Sequence, residues 1–467
     1  MKIQFLGANQ QVTGSCYYLE IADLRLLIDC GLFQERAYLE RNWAPLPLPP
    51  DSIDYLLLTH VHLDHSGLIP KLVREGFSRK ILTTSASADL LPIVLLDAAR
   101  IQEEDAAYKR KRHQKEGRRG RYPEIPLYTG AEASRVSSFV NPVSYEKAIP
   151  LNNRVSAWFH EAGHILGSAM IELTIREKNR PLKIIFTGDI GQWNKPLIRD
   201  PFVFEQADVV IMESTYGDRN HEDPADVETM LNETIKETVK AGGNIVVPVF
   251  AVERAQELMF YLSRLIRQNR IPRLPVFLDS PMAMDVTEVF KQHPECLDEE
   301  TLELFRSSQS PFQFSGLRFA RTQEESKAIN SYRKSCIIMA GSGMCTGGRI
   351  KHHLVQNIAR PESTILFVGY QAEGTLGRQI LEGQPEVRIF GQLHRVQAKV
   401  KQIHSFSAHA DRSGLFQWLD HFRSPLPLIF LTHGEKKVSL DLADSLKNQK
   451  RFDVSIPEYG GVWDGES

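Results

Sequence analysis

The chain has 467 residues, of which 42% are hydrophobic and 24% charged, and its formal net charge is −2. That is length enough for two or three domains and the composition of an ordinary soluble globular protein. It does not mark a nucleic-acid binder as a whole, so any polyanion site must come from local clustering of cations.

In chain order, short apolar runs at 3–6, 16–20 and 24–28, bounded by Gly or Asp turns, predict strands. Tyr55-Leu56-Leu57-Leu58 predicts a buried strand. Helical spacing follows over 67–75 and 86–107, and then a basic stretch from Lys109 to Arg121 that reads as a solvated loop. Its functional reading is attraction of a polyanion. Strand-like alternation returns over 155–175, at 183–186 and at 209–212. Runs at 244–249, 275–278, 336–339 and 364–368 each precede a helical stretch, which predicts a parallel α/β sheet. After about Phe390 the pattern of the first 208 residues resumes, with a last apolar run at 428–431. The simplest organisation is a host domain, 1–208 and 392–467, interrupted by an inserted α/β domain, 209–391.

Five cysteines, Cys16, Cys30, Cys296, Cys336 and Cys345, form no CxxC pair and suit a reducing compartment. The start, Met1-Lys2-Ile3-Gln4-Phe5, lacks a signal-peptide core, and no apolar run approaches the ~20 residues needed to cross a bilayer. A cytoplasmic protein without membrane contact is expected.

The chemistry concentrates directly after the fourth strand. Thr59-His60-Val61-His62-Leu63-Asp64-His65 sets four metal-binding side chains within six residues. Imidazole nitrogen and carboxylate oxygen suit zinc, and the lack of cysteine separates this loop from a closed structural site. His164, Asp189 and His433 also lie beside apolar strands, whose ends can converge on one face. Seven candidate ligands exceed the need of one zinc and fit two, with a carboxylate bridging. His160-Glu161-Ala162-Gly163-His164 matches the HExxH protease motif, but that motif needs a helix. Here Gly163 and Gly167 interrupt strand-like sequence, so His160 is left out of the ligand set.

His60-x-His62-x-Asp64-His65, with Asp29 before it and His164 and Asp189 after it, resembles the metallo-β-lactamase superfamily. Met212-Glu213-Ser214-Thr215-Tyr216-Gly217, Gly341-Ser342-Gly343-Met344, the stretch 369–377, Ser405-Phe406-Ser407-Ala408-His409-Ala410-Asp411 and Thr432-His433-Gly434-Glu435 resemble the β-CASP nucleases. That family includes the endonuclease of the eukaryotic pre-mRNA 3′-end cleavage complex and its bacterial and archaeal relatives. The resemblance implies a metallo-β-lactamase αββα sandwich carrying an inserted parallel α/β β-CASP domain, with substrate lying between host and insert.

The resemblance also implies roles. His60, His62 and His164 would hold one zinc, Asp64, His65 and His433 the other, and Asp189 would bridge. Asp29 would orient a histidine ligand from behind, and Asp64 could also accept a proton from the attacking water. His409 would be the general acid, held by Glu213. Ser342, Gly343, Gly374 and Thr375 would touch RNA phosphate; the alternative for Ser342 and Gly343 is a plain tight turn. The expected protein is a two-zinc ribonuclease acting on single-stranded RNA in processing or decay, with a homodimer left open. A DNA nuclease of the same fold and an inactive RNA-binding scaffold are the alternatives. Endonucleolytic cleavage is expected, with 5′-exonuclease action unresolved.

Overall fold

The layering follows from which way alternate strand residues point. In the computed structural model, which describes residues 1–117, 120–176, 180–221, 227–372 and 374–465, the chain divides into two compact units. Met1–Trp193, Asp200–Asn220 and His409–Ser467 make the first, and Asn194–Arg199 with His221–Ala408 the second.

The first unit contains two seven-stranded sheets. One runs in the order Val462–Asp464, Lys2–Phe5, Tyr17–Ile21, Leu24–Ile28, Tyr55–Leu57, Lys80–Thr84, Val140–Val143. The other runs Asp453–Ser455, Leu428–Thr432, Val209–Glu213, Leu182–Phe186, Ala169–Ile175, Val155–Glu161, Ile149–Pro150. Ile184, Phe186, Val209, Ile211 and Phe430 face the other sheet, where they meet Phe5, Leu19, Leu26 and Ile28. Their chain neighbours Ile185, Val210, Met212, Ile429 and Leu431 point away and pack on Leu415, Trp418 and Leu442 of the helices Arg412–Leu419 and Lys436–Ser445. Period-two alternation thus feeds two apolar layers at once. The long helix Ser85–Glu116 lies against Lys80–Thr84 and Val140–Val143 and buries Leu90, Leu91 and Leu95. The result is helix–sheet–sheet–helix.

The second unit has a six-stranded sheet, all parallel: Leu317–Phe319, Val276–Asp279, Ile337–Ala340, Ile245–Pro248, Thr364–Phe367, Lys399–Gln402. The four inner strands are the four read from the sequence; they are continuous apolar runs, and all their residues are buried, as in a sheet buried on both faces. The two edges, Leu-Arg-Phe and Lys-Val-Lys-Gln, are short and charged, the usual form of an edge strand.

Two expectations need correction. The units do not divide at 208/209 and 391/392. Val209–Glu213 pairs with Leu182–Phe186 and Leu428–Thr432 in the first unit's sheet, while Lys399–Gln402 pairs with Thr364–Phe367 in the second's. The basic stretch is not a loop over its first half: the helix continues through Lys109–Arg112 to Glu116 and stops at Gly117, in the left-handed conformation at φ 63°. Lysine and arginine are good helix formers, and this part of the helix has no apolar periodicity to reveal it. Arg118, Arg119 and, in the 369–377 motif, Glu373 lie outside the described residues. Among the described residues no helix is long and apolar enough to cross a membrane.

Candidate metal centre

Each candidate ligand sits where a buried strand runs out. Tyr55–Leu57 leads to His60 and His62, and the short helix Leu63–Ser66 carries Asp64 and His65. Leu182–Phe186 leads to Asp189, and Leu428–Thr432 to His433. The approach to Asp189 requires Gly188: at φ +52° a Cβ there would lie 2.9 Å from Thr59 Cβ. Asp29 and His433 take left-handed backbone themselves, at φ 58° and 50°. Such conformations cost of order 1–3 kcal/mol for a residue with a side chain and gather at functional sites.

The seven candidate ligands come together in two groups, His60, His62, His164 with Asp189, and Asp64, His65 with His433. His62 Nδ1 is 3.2 Å from His60 Nε2 and 3.1 Å from His164 Nε2. His65 Nε2 is 3.1 Å from His433 Nε2, which is 3.5 Å from Asp64 Oδ2. Asp189 lies between the groups. Its Oδ2 is 3.3 Å from both His60 and His164 Nε2, and its Oδ1 is 3.1 Å from His65 and 3.5 Å from His433 Nε2.

Bonds on the far side of the rings determine which nitrogen faces inward. Thr59 Oγ1 donates to Asp29 Oδ2 at 2.8 Å, which leaves its lone pair for His60 Nδ1–H at 3.1 Å. His65 Nδ1–H donates to the same Asp29 oxygen at 2.7 Å. Thr215 Oγ1 donates to the His433 carbonyl at 2.9 Å and accepts from His433 Nδ1 at 3.1 Å. In the neutral rings Nε2 is therefore bare and directed at the other donors. Bare lone pairs this close repel unless a cation lies among them. Ligands about 2.0–2.2 Å from one tetrahedral ion lie about 3.3–3.6 Å apart, close to the 3.1–3.5 Å found here. Asp189 Oδ1 is also buried with no hydrogen-bond partner among the described residues. The donor set fits a metal.

Burial, then repulsion from His60, pushes His62 down to about 3. Burial likewise lowers His60, with help from His65, and His164, with help from His409. Burial also opposes charge on His65 and His433, but Asp189 first, then Asp29 for the former and Asp64 for the latter, raises both.

Glu213 ends the strand Val209–Glu213 and is buried, not a surface carboxylate. It accepts the Ile190 amide at 2.6 Å, and both its oxygens lie 3.1 Å from His409 Nδ1. Burial pulls His409 down, but Glu213 and then Asp189 outweigh it and raise its pKa to about 9. His409 Nε2 faces Asp189 Oδ2 at 3.9 Å, and Asp189, His409 and His433 form a third group of ligand-capable atoms. Sequence reasoning gives no role to Thr59 and Thr215, which lie within the motifs and set the tautomers. His160 lies on the strand Val155–Glu161, its ring stacked on Phe202 at 4.3 Å, apart from the ligand groups.

Ser342, Gly343, Gly374 and Thr375 belong to the second unit. The Gly341–Gly348 turn and the loop after Thr364–Phe367 are laced together, Gln371 Nε2 donating to the Gly343 carbonyl at 2.9 Å and the Gly377 amide to the Met344 carbonyl at 3.1 Å. Ser342 is not at a helix N-terminus: the next helix begins at Ile350. Ser342 Oγ instead accepts the Gly347 amide at 3.2 Å, inside its own turn. Thr375 caps the helix Leu376–Leu381, accepting the Arg378 amide at 3.2 Å.

A double sheet sandwich with histidines and a shared aspartate at its strand ends defines a metallo-hydrolase of the metallo-β-lactamase fold. Family models agree along the chain: the metallo-β-lactamase superfamily over 10–229, the Beta-Casp domain over 255–380, and a Zn-dependent metallo-hydrolase RNA specificity domain over 393–457. A ribonuclease of Thermus thermophilus is 35% identical, covering 98% of this chain and 99% of its own. The transcription termination factor FttA of Methanosarcina mazei is 32% identical over 97% of this chain and 70% of its own. A solved protein of unknown function from Enterococcus faecalis V583 shares the fold at a TM-score of 0.54, with 12% identity over 99% of both chains. The chain belongs to the β-CASP family of metallo-hydrolases.

Proposed function

We propose that the protein is a two-zinc ribonuclease that hydrolyses phosphodiester bonds of single-stranded RNA, cutting internally, in RNA processing or decay. The observation that carries this is Asp189, whose two oxygens each face a separate group of nitrogen and oxygen donors. His60, His62 and His164 would hold one ion, Asp64, His65 and His433 the other, and Asp189 would bridge. Two ions at such a site activate water for attack and neutralise charge on the phosphate oxygens in an in-line displacement.

The chain's own groups handle the protons. His409 Nδ1 is bound by Glu213, so Nε2 presents its proton toward the centre and passes it to the leaving oxygen. Glu213 is the positioning residue: it fixes the ring and favours its charged form. Asp64, less buried than Asp189, is placed to accept a proton from the attacking water. The ribonuclease name of the Thermus relative supports RNA as the substrate. The gathering of all seven candidate ligands in two groups favours an active enzyme over an inactive scaffold.

The test is product mapping on RNA labelled at either end, beside DNA of the same sequence. Metal-dependent internal cuts in RNA, faster than in DNA, are expected. Release of mononucleotides from the 5′ end would replace the endonuclease reading with an exonuclease. Equal or faster DNA cleavage would overturn the RNA assignment. Rapid hydrolysis of a β-lactam or thioester without nuclease action would overturn both.

A further inference from the structure

The helix Ser85–Glu116 is longer than its packing requires. Up to Ala99 it buries a continuous stripe including Leu90, Leu91, Val94 and Leu95; beyond Ala99 only Ala106 is buried. Residues 107–112 and 114–117 are exposed. A helical end without buried surface has little tertiary stabilisation of its own. This one is held by local polar bonds. Arg110 donates to the Glu124 carbonyl at 3.0 Å, His113 Nδ1 meets Glu124 Oε1 at 2.5 Å, and Arg112 pairs with Glu116 at 2.9 Å.

That exposed end concentrates charge. Lys109, Arg110, Lys111, Arg112 and Lys115 fall within seven positions of a chain whose net charge is −2. Among the described residues, the ion pairs of this segment engage Arg112 and His113 but not Lys109, Lys111 or Lys115. Tyr108, Lys111, Arg112 and Lys115 follow i, i+3, i+4, i+7 spacing and share one face of the helix, and Tyr108 is 66% exposed. The helix dipole favours cations in the last turn. It does not account for Lys109 further back or for an exposed aromatic ring among them. A membrane surface would need an apolar face, which this segment lacks. Cations that track a phosphate backbone beside an aromatic that can stack a base match single-stranded RNA.

We propose that the exposed end of this helix, residues 108–115, is an auxiliary docking site for the RNA backbone, separate from the metal centre. The inference rests on the reading of the protein as a ribonuclease. Docking here lets long RNA bind more tightly than short RNA, without base preference.

The test is binding of a fluorescent single-stranded RNA and of a short oligomer of the same composition, across salt, by the full chain carrying His409→Ala so that the RNA stays intact. The variant Lys109→Gln/Lys111→Gln/Lys115→Gln keeps good helix formers. It should weaken binding of the long RNA and reduce the slope of log affinity against log salt by about 2, for three lost phosphate contacts at about 0.7 each. The corresponding triple Lys→Arg variant should keep the parental slope. A control triple at exposed positions elsewhere, Lys80→Gln/Lys240→Gln/Lys447→Gln, should change it less. An unchanged slope in the helix triple, or an equal loss in the control, would overturn the proposal. So would loss of binding to anionic vesicles with RNA binding intact. If the parent protein neither binds nor cuts RNA, the proposed function falls and this inference with it. If it does both and only the helix triple is silent, this inference alone falls.

Discussion

The two halves of the donor cluster share Asp189 but differ electrically. His60, His62 and His164 are kept neutral by burial and mutual repulsion, so their nitrogens are ready for a metal. His65 and His433 sit among Asp29, Asp64 and Asp189, which favour a positive charge on the rings. The same carboxylates that attract a metal ion there also attract a proton. The lesson is that one half is limited by donor geometry and the other by competition between metal and acid.

The largest expected effect comes from removing the shared carboxylate. Asp189→Ala should lose metal from both halves and all nuclease activity, read by elemental analysis and RNA cleavage; loss from one half alone would break the symmetry argued for its two oxygens. His409→Ala should keep the metal and lose roughly 10²–10⁴-fold in rate, the usual scale for a general acid. If it instead empties half of the metal, His409 is a ligand, as its place in the third group of donors would allow.

Asp29→Asn should weaken metal binding about 10–100-fold, the scale for groups that orient a ligand. The loss should fall first on the half containing His65, which Asp29 contacts directly, and reach His60 only through Thr59. Metal titration of the apoprotein would separate the two steps. Acid sharpens the same contrast. Because His65 and His433 are raised and His60, His62 and His164 lowered, falling pH should empty the carboxylate-flanked half while the other stays loaded. Simultaneous loss on dialysis at stepped pH would contradict this. Last, Glu213→Gln should move the alkaline limb of the rate profile below its parental position, because it removes a carboxylate that helps raise His409 to about 9. Rate that needs protonated His409 is full below that value and lost above it.

What can be read from the sequence depends on whether a residue's partners lie close along the chain. His60, His62, Asp64 and His65 announce themselves within one loop after an obvious strand. His164, Asp189 and His433 are legible because each lies beside an apolar run. The support behind them is less so. Thr59 bonds Asp29 thirty residues away and Thr215 bonds His433 across 218, and nothing local signals either pairing. The inner strands of the second sheet are legible from continuous apolar sequence, but its edges, Arg318 and Lys399–Gln402 among them, are not, because edge strands avoid that pattern. The start of the helix after Ser342, at Ile350, is not legible either, because a glycine-rich turn between strand and helix does not show where the helix begins. The end of the helix Ser85–Glu116 reads as loop because charge, not apolar periodicity, fills it.

The most direct test of the central claim is the zinc content of fully active protein purified without chelator. A site with two donor groups joined through Asp189 predicts about two zinc ions per chain. A stoichiometry near one, at full activity, would contradict it.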